Sequence, residues 1–250
     1  MWHRILFAKM VAHGKVRTRL AAAENLVWFQ SPDTRRALLA ALEDPTDDVK
    51  LAAAASLAEI GERVPVAHLL QARPGNGSES SRRLETVLVR VAKHQTDDLI
   101  CVAGDRSFPE RARVAAIDAL ARTGFFHLVS SISHLAEDRS PIVRAAVARG
   151  LGVLAHPDSG EAIAKLIHDP EWAVRAEAAE AAGRAGLTTF IDRLSVLLCD
   201  ENWWVRFRAG EALVGLGGNG IEALRCVASS AEDRTARMAA AVVLAERRLA

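Results

Sequence analysis

A basic residue that returns every 31 positions constrains this chain more than any other feature. Three segments show it: "DRSPIVRAAVARGLGVL", "DPEWAVRAEAAEAAGRAG" and "DENWWVRFRAGEALVGLG". Each opens on Asp, reaches a Val-Arg pair and continues as an Ala- and Leu-rich stretch. Anchored on the Arg, they give Arg144, Arg175 and Arg206, 31 residues apart. The same step reaches Arg237 forwards, and Arg113 and then Arg82 backwards. Before Arg82 the spacing loosens to 32 and then 33, at Lys50 and Arg17. A period of this length marks stacked helical units, each too small to enclose a core alone.

The residues around the anchors keep phase. Val49, Ala112, Val143, Val174, Val205 and Ala236 stand one residue before it, with Val16 in the first unit. Ala53, Ala116, Val147, Ala178, Ala209 and Ala240 stand three after, and Leu57, Leu120, Leu151, Ala182, Leu213 and Leu244 seven after. Offsets of −1, +3, +7 and +10 share one face of a 3.6-residue helix, which predicts a buried stripe. Gly61, Gly124, Gly186 and Gly217 recur at +11, where glycine ends a helix by adopting positive φ. Shorter apolar stretches between anchors, such as "TRRALLAALED" and "IDRLSVLLCD", read as the first helix of each pair. The prediction is an all-α solenoid, a superhelix of about eight helix–turn–helix repeats. Residues 1–72 hold two loosely spaced repeats, the Gly/Ser/Pro-rich segment 73–81 is a loop or hinge, and 82–250 hold six repeats at the 31-residue period.

Composition supports helices. Half the residues are hydrophobic, and runs such as "LAAAASL" at 51–57 favour helix over strand. Thirty-two Lys and Arg against thirty-one Asp and Glu leave a net charge of +1, which argues against a dedicated nucleic-acid binder. Arg17, Arg19, Arg35 and Arg36 make a small basic end. Cys101, Cys199 and Cys226 are odd in number and far apart, matching neither a disulfide framework nor a zinc site. They read as buried apolar residues in a reducing compartment. The N-terminal run "MWHRILFAKMVAHG" is broken by Lys9, and no later stretch has membrane-spanning length, so a soluble, cytoplasmic chain is expected.

The repeat resembles the HEAT-like repeat known from phycobilisome lyase subunits and many bacterial proteins, over nearly the whole chain. The stretch from Trp203 to Glu246 also resembles bacterial HEAT-repeat proteins encoded beside polysaccharide glycosyltransferases. The resemblance implies the solenoid fold and a binding surface, not a particular task. HEAT-like hydroxylases of the deoxyhypusine class hold iron through His-Glu pairs, and none of the eight His here is followed by Glu. No metal and no cofactor are expected. Catalytic signatures are absent too. "GLGGNG" at 215–220 follows a helix rather than a strand and reads as a terminator.

Asp44, Asp138, Asp169 and Asp200 lie six residues before Lys50, Arg144, Arg175 and Arg206. Recurrence in fixed phase favours a structural ladder over an anion-binding track. Each Asp would cap its second helix, and each Arg, including Arg113 and Arg237, would bond to an Asp near its turn. Trp172 and Trp203, 31 apart, read as inter-repeat packing, whereas Trp204 has no counterpart and reads as a binding anchor. Offsets +2, +5 and +9 lie away from the buried stripe and supply Asp118, Arg122, Arg149, Glu177, Glu180, Arg184, Arg208 and Glu211. Alternating signs on that row suit a protein surface better than phosphates. The expected function is a non-catalytic scaffold or adaptor that binds another protein along its concave face. The alternatives are a subunit of a bilin lyase or chaperone-like complex, and a nucleic-acid-binding HEAT-like protein.

Overall fold

A computed structural model describes residues 9–71 and 78–249, and no strand occurs among them. The chain is an all-α solenoid that divides into two compact units, Met1–Thr123 and Gly124–Ala250. In the first unit the second helices are α1 (Val16–Asn25), α3 (Asp47–Glu59), α5 (Ser78–Ala92) and α7 (Glu110–Ala121). Its first helices are α2 (Pro32–Ala41), α4 (Val66–Gln71) and α6 (Thr96–Gly104). In the second unit, first helices α8 (Leu128–Ser133), α10 (Gly160–Leu166), α12 (Ile191–Leu197) and α14 (Gly218–Ser230) alternate with second helices. The latter are α9 (Pro141–Leu154), α11 (Trp172–Arg184), α13 (Trp203–Gly215) and α15 (Arg234–Glu246). Of the segment 73–81 expected as a hinge, residues 73–77 lie outside the described residues and 78–81 open α5.

The predicted stripe is the core. Val143, Val147 and Leu151 of α9, Val174, Ala178 and Ala182 of α11, and Val205, Ala209 and Leu213 of α13 are all fully buried. Consecutive second helices pack directly on each other in each unit, α1 on α3, α9 on α11 and α11 on α13. Small residues set how closely. A Cβ on Gly152 would lie 3.0 Å from the Ala181 Cα, and one on Gly183 would lie 2.8 Å from the Ala212 Cα. Both distances are tight, so larger residues there would push adjacent second helices apart.

The helix ends follow the period as well. Gly61, Gly124, Gly186 and Gly217 all have positive φ, between 65° and 78°. In the α9 repeat the equivalent residue is Ala155, which takes φ 49° despite its Cβ.

Two expectations are corrected. The first anchor is Arg19, not Arg17. Val16 is 45% exposed, whereas Ala22 and Leu26, three and seven residues after Arg19, are fully buried. The spacing to Lys50 is therefore the regular 31. The three cysteines are exposed rather than buried. Cys199 follows the seven-residue α12, where Val196 is 67% exposed: a helix this short keeps much of its apolar surface in water.

Candidate functional site

The Asp/Arg register forms rungs between repeats rather than caps within them. Arg144 donates from Nε and Nη2 to the Asp169 carboxylate at 2.6 and 2.8 Å. Arg175 grips Asp200 in the same way at 2.7 and 2.9 Å, and Arg19 grips Asp44 at 2.7 and 3.0 Å. In each case the partner lies 25 residues ahead, in the following repeat. The remaining Nη1 of Arg144 and Arg175 donates to the carbonyl of the Asp in the Arg's own repeat, Asp138 or Asp169, at 2.9 Å. Asp44, Asp138, Asp169 and Asp200 are not the N-caps. Each accepts the backbone N–H two residues on, from the N-cap residue Thr46, Ser140, Glu171 or Asn202. Lys50 has no fork and, among the described residues, pairs only with Asp47 at 3.6 Å. The buried Arg113 donates from Nε to the Ala103 carbonyl at 2.9 Å, and Arg206 and Arg237 donate from Nη1 to turn carbonyls.

Burial pushes the Asp169 and Asp200 carboxyls up. The facing guanidinium and the backbone N–H more than offset it, so both lie below the ordinary carboxylate value, and Asp44 behaves alike.

The predicted surface row divides between the two units. In the second unit its charges meet across neighbouring helices. Arg149 of α9 lies 3.9 Å from Glu177 of α11, and Glu180 pairs with Arg184 on its own helix at 2.7 Å and with Arg208 of α13. Glu211 of α13 accepts from Arg247 at 3.1 Å, and the Arg208 guanidinium sits 4.8 Å over the Trp204 ring. Trp204 also stacks on Phe207 at 5.3 Å and is half-buried. It is therefore a platform for Arg208 rather than a free anchor. The more exposed rings are Trp172 and Trp203, at 44% and 63%, contrary to the packing role expected for them. Glu177 is held above the ordinary carboxylate value by burial, against the pull of Arg149.

In the first unit Arg122 pairs with Glu85 at 2.8 Å, and Asp118 is half-buried on α7. The same unit contains a feature the sequence reading missed. Counted from Arg19 and Lys50, the +2, +5 and +9 positions give Ala21, Glu24, Trp28, Ala52, Ala55 and Glu59. All of these but Ala21, with Arg83 and Arg90 of α5, line a groove of about 1110 Å³. Ala52 and Ala55 leave the floor low where α11 and α13 carry Glu and Arg. The flanks hold Arg83 3.6 Å from Glu24 and Arg90 3.4 Å from Glu59, and Trp28 is 78% exposed. Extending the three offsets to the first repeats, with Arg19 as anchor, would have found it.

Among the described residues no group of three or more His, Cys, Asp or Glu side chains is placed to hold a metal ion. No described helix is long and apolar enough to cross a membrane.

A model of HEAT repeats matches residues 4–88 and 160–245, and the chain belongs to that family. No curated protein matches it. Among solved structures, Kap95p in complex with RanGDP superimposes with a TM-score of 0.61 at 16% identity, covering 96% of this chain and 40% of that one. The karyopherin Kap121p bound to Pho4p gives 0.60 at 13% identity, over 98% of this chain and 33% of that one. Kap121p bound to the extreme C-terminus of the protein phosphatase Cdc14p gives 0.58 at 12% identity, over 96% and 33%. The chain thus spans between a third and two-fifths of the length of these structures, and the likeness is one of fold.

Proposed function

We propose that this chain is a non-catalytic scaffold that binds another protein along the outward stripe of its second helices. The observation that carries the reading is one surface register. Residues at offsets +2, +5 and +9 line a hollow on α1 and α3 in the first unit and form a charged row on α9, α11 and α13 in the second. Solenoids use such extended rows of equivalent positions to contact long segments of a partner. Membership of the HEAT-repeat family supports the reading, as do structural neighbours solved in complex with other proteins.

The paired charges set how a partner would engage the second unit. It must match an alternating pattern that already satisfies itself, so its charges contribute more to selectivity than to affinity. The test is affinity capture from the native host with wild type and with Glu180→Arg/Arg184→Glu/Glu211→Arg. The captured protein should be lost on the stripe variant and kept by a control reversing the exposed first-helix residues Glu161 and Lys165. Undiminished capture by the stripe variant, with a native circular dichroism spectrum, would overturn the reading.

A further inference from the structure

We propose that Arg206 is an open rung of the ladder and serves as a receptor for a carboxylate carried by a binding partner. The residue 25 positions ahead of Arg19, Arg144 and Arg175 is Asp, and its two oxygens fill the Nε/Nη2 edge of each guanidinium at 2.6–3.0 Å. At the same place ahead of Arg206 stands Ala231. The backbone there matches that of Asp138, the aspartate at the same place in the α9 repeat: φ −61° and ψ 139° at Ala231, against −64° and 147° at Asp138. Only the carboxylate is missing.

Arg206 is otherwise held like its counterparts. Its Nη1 donates to the Asp200 and Glu201 carbonyls at 2.7 and 3.0 Å, as Arg175 Nη1 donates to the Asp169 and Pro170 carbonyls. The Nε and Nη2 hydrogens meet no acceptor among the described residues. The nearest acidic residues in sequence do not fill the gap. Asp233 is the N-cap of α15 and accepts the Ala236 N–H at 2.9 Å, and Glu232 is exposed and forms no ion pair among the described residues. Asp233 fills the N-cap position of this repeat, as Ser140, Glu171 and Asn202 do in theirs, and Ala231 stands two residues earlier, where those repeats carry the ladder aspartate.

A guanidinium fixed through Nη1 presents two parallel N–H donors with little further ordering to lose, which favours a planar bidentate acceptor. The three filled rungs show that a carboxylate fits this edge in this fold. Trp203, exposed one turn before Arg206 on α13, offers an apolar surface beside the charge. The ligand chemistry is a partner carboxylate, on an acidic side chain or at the partner's own C-terminus. This site is separate from the stripe, so either can fail alone.

Fluorescence anisotropy with two labelled peptides tests the inference. One carries internal glutamates and an amidated end, and the other has no acidic side chain and a free C-terminal carboxylate. Binding by the first peptide assigns the rung to side chains and by the second to a C-terminus, and either supports it. Arg206→Lys, which keeps the charge but loses the fork, should weaken binding roughly tenfold. Ala231→Asp should supply the internal carboxylate, raise the melting temperature and weaken binding by at least about tenfold. The Glu180/Arg184/Glu211 reversal should leave peptide affinity unchanged. The inference is overturned if neither peptide binds. It is also overturned if Ala231→Asp fails to raise the melting temperature, or raises it without reducing affinity.

Discussion

Where α11 turns Glu177 and Glu180 toward its neighbours, α3 turns Ala52 and Ala55, and the two units part company there. The positions are equivalent in the repeat. In the second unit they carry long charged side chains that reach the next helix and neutralise one another, over helices brought close by Gly152 and Gly183. In the first unit the same positions on the middle helix are methyl groups. Glu24, Trp28 and Arg90 then stand as walls around a hollow. The period places a surface position, and side-chain length decides whether it is closed by its neighbours or left open to a visitor.

Both units share the ladder, so its removal should hurt both equally and most. Asp169→Ala leaves the largely buried Arg144 fork without its acceptor, and Asp44→Ala does the same to Arg19. Each should cost about 2–4 kcal/mol in urea unfolding. A large difference between the two would show that one unit does not depend on its rung. The same aspartates set the acid limit. Their folded-state values lie below the ordinary 3.8, so the stability they contribute is complete above that pH. It is lost as pH falls through the depressed values, and Asp169→Ala should show a shallower decline on that limb than wild type.

Next in size is the contrast itself. Gly183→Val puts side-chain atoms where the Ala212 backbone sits and should cost about 1–3 kcal/mol. Ala55→Val, on the floor of the hollow, should stay within about 0.5 kcal/mol. Equal costs would mean the hollow is not open space.

A smaller effect than the Gly183 clash is expected as a gain. Ala155→Gly relieves a left-handed alanine and should stabilise the second unit by about 0.5–1 kcal/mol. The first unit has no such gain on offer at Gly61, where glycine is already present.

The sequence carried the repeat, the buried stripe and the glycines that end the helices, because a strict period makes each of these visible several times over. What it hid has specific causes. Val16-Arg17 imitates the Val-Arg pair of later repeats, whereas the true anchor Arg19 follows a threonine, so the first repeat reads two residues out of phase. The partner of each anchor was hidden by the period itself. Asp169 lies six residues before Arg175 and 25 after Arg144, and in a regular repeat the two spacings describe one pattern. Only the fold shows that the carboxylate serves the earlier Arg and the carbonyl the later one. The exposure of Trp172 and Trp203, and the seat of Trp204 beneath Arg208, depend on packing that spacing alone does not encode.

The rungs also bear on how a protein of this kind changes length. Each joins an Arg to an Asp 25 positions ahead, within a 31-residue period. Excision of residues 145–175 would bring Asp200 to the place Asp169 held opposite Arg144, and duplication of the same block would add one further identical joint. The fastening does not register how many blocks it fastens. Gene duplication or loss can therefore lengthen or shorten the array without inventing a new contact at the seam.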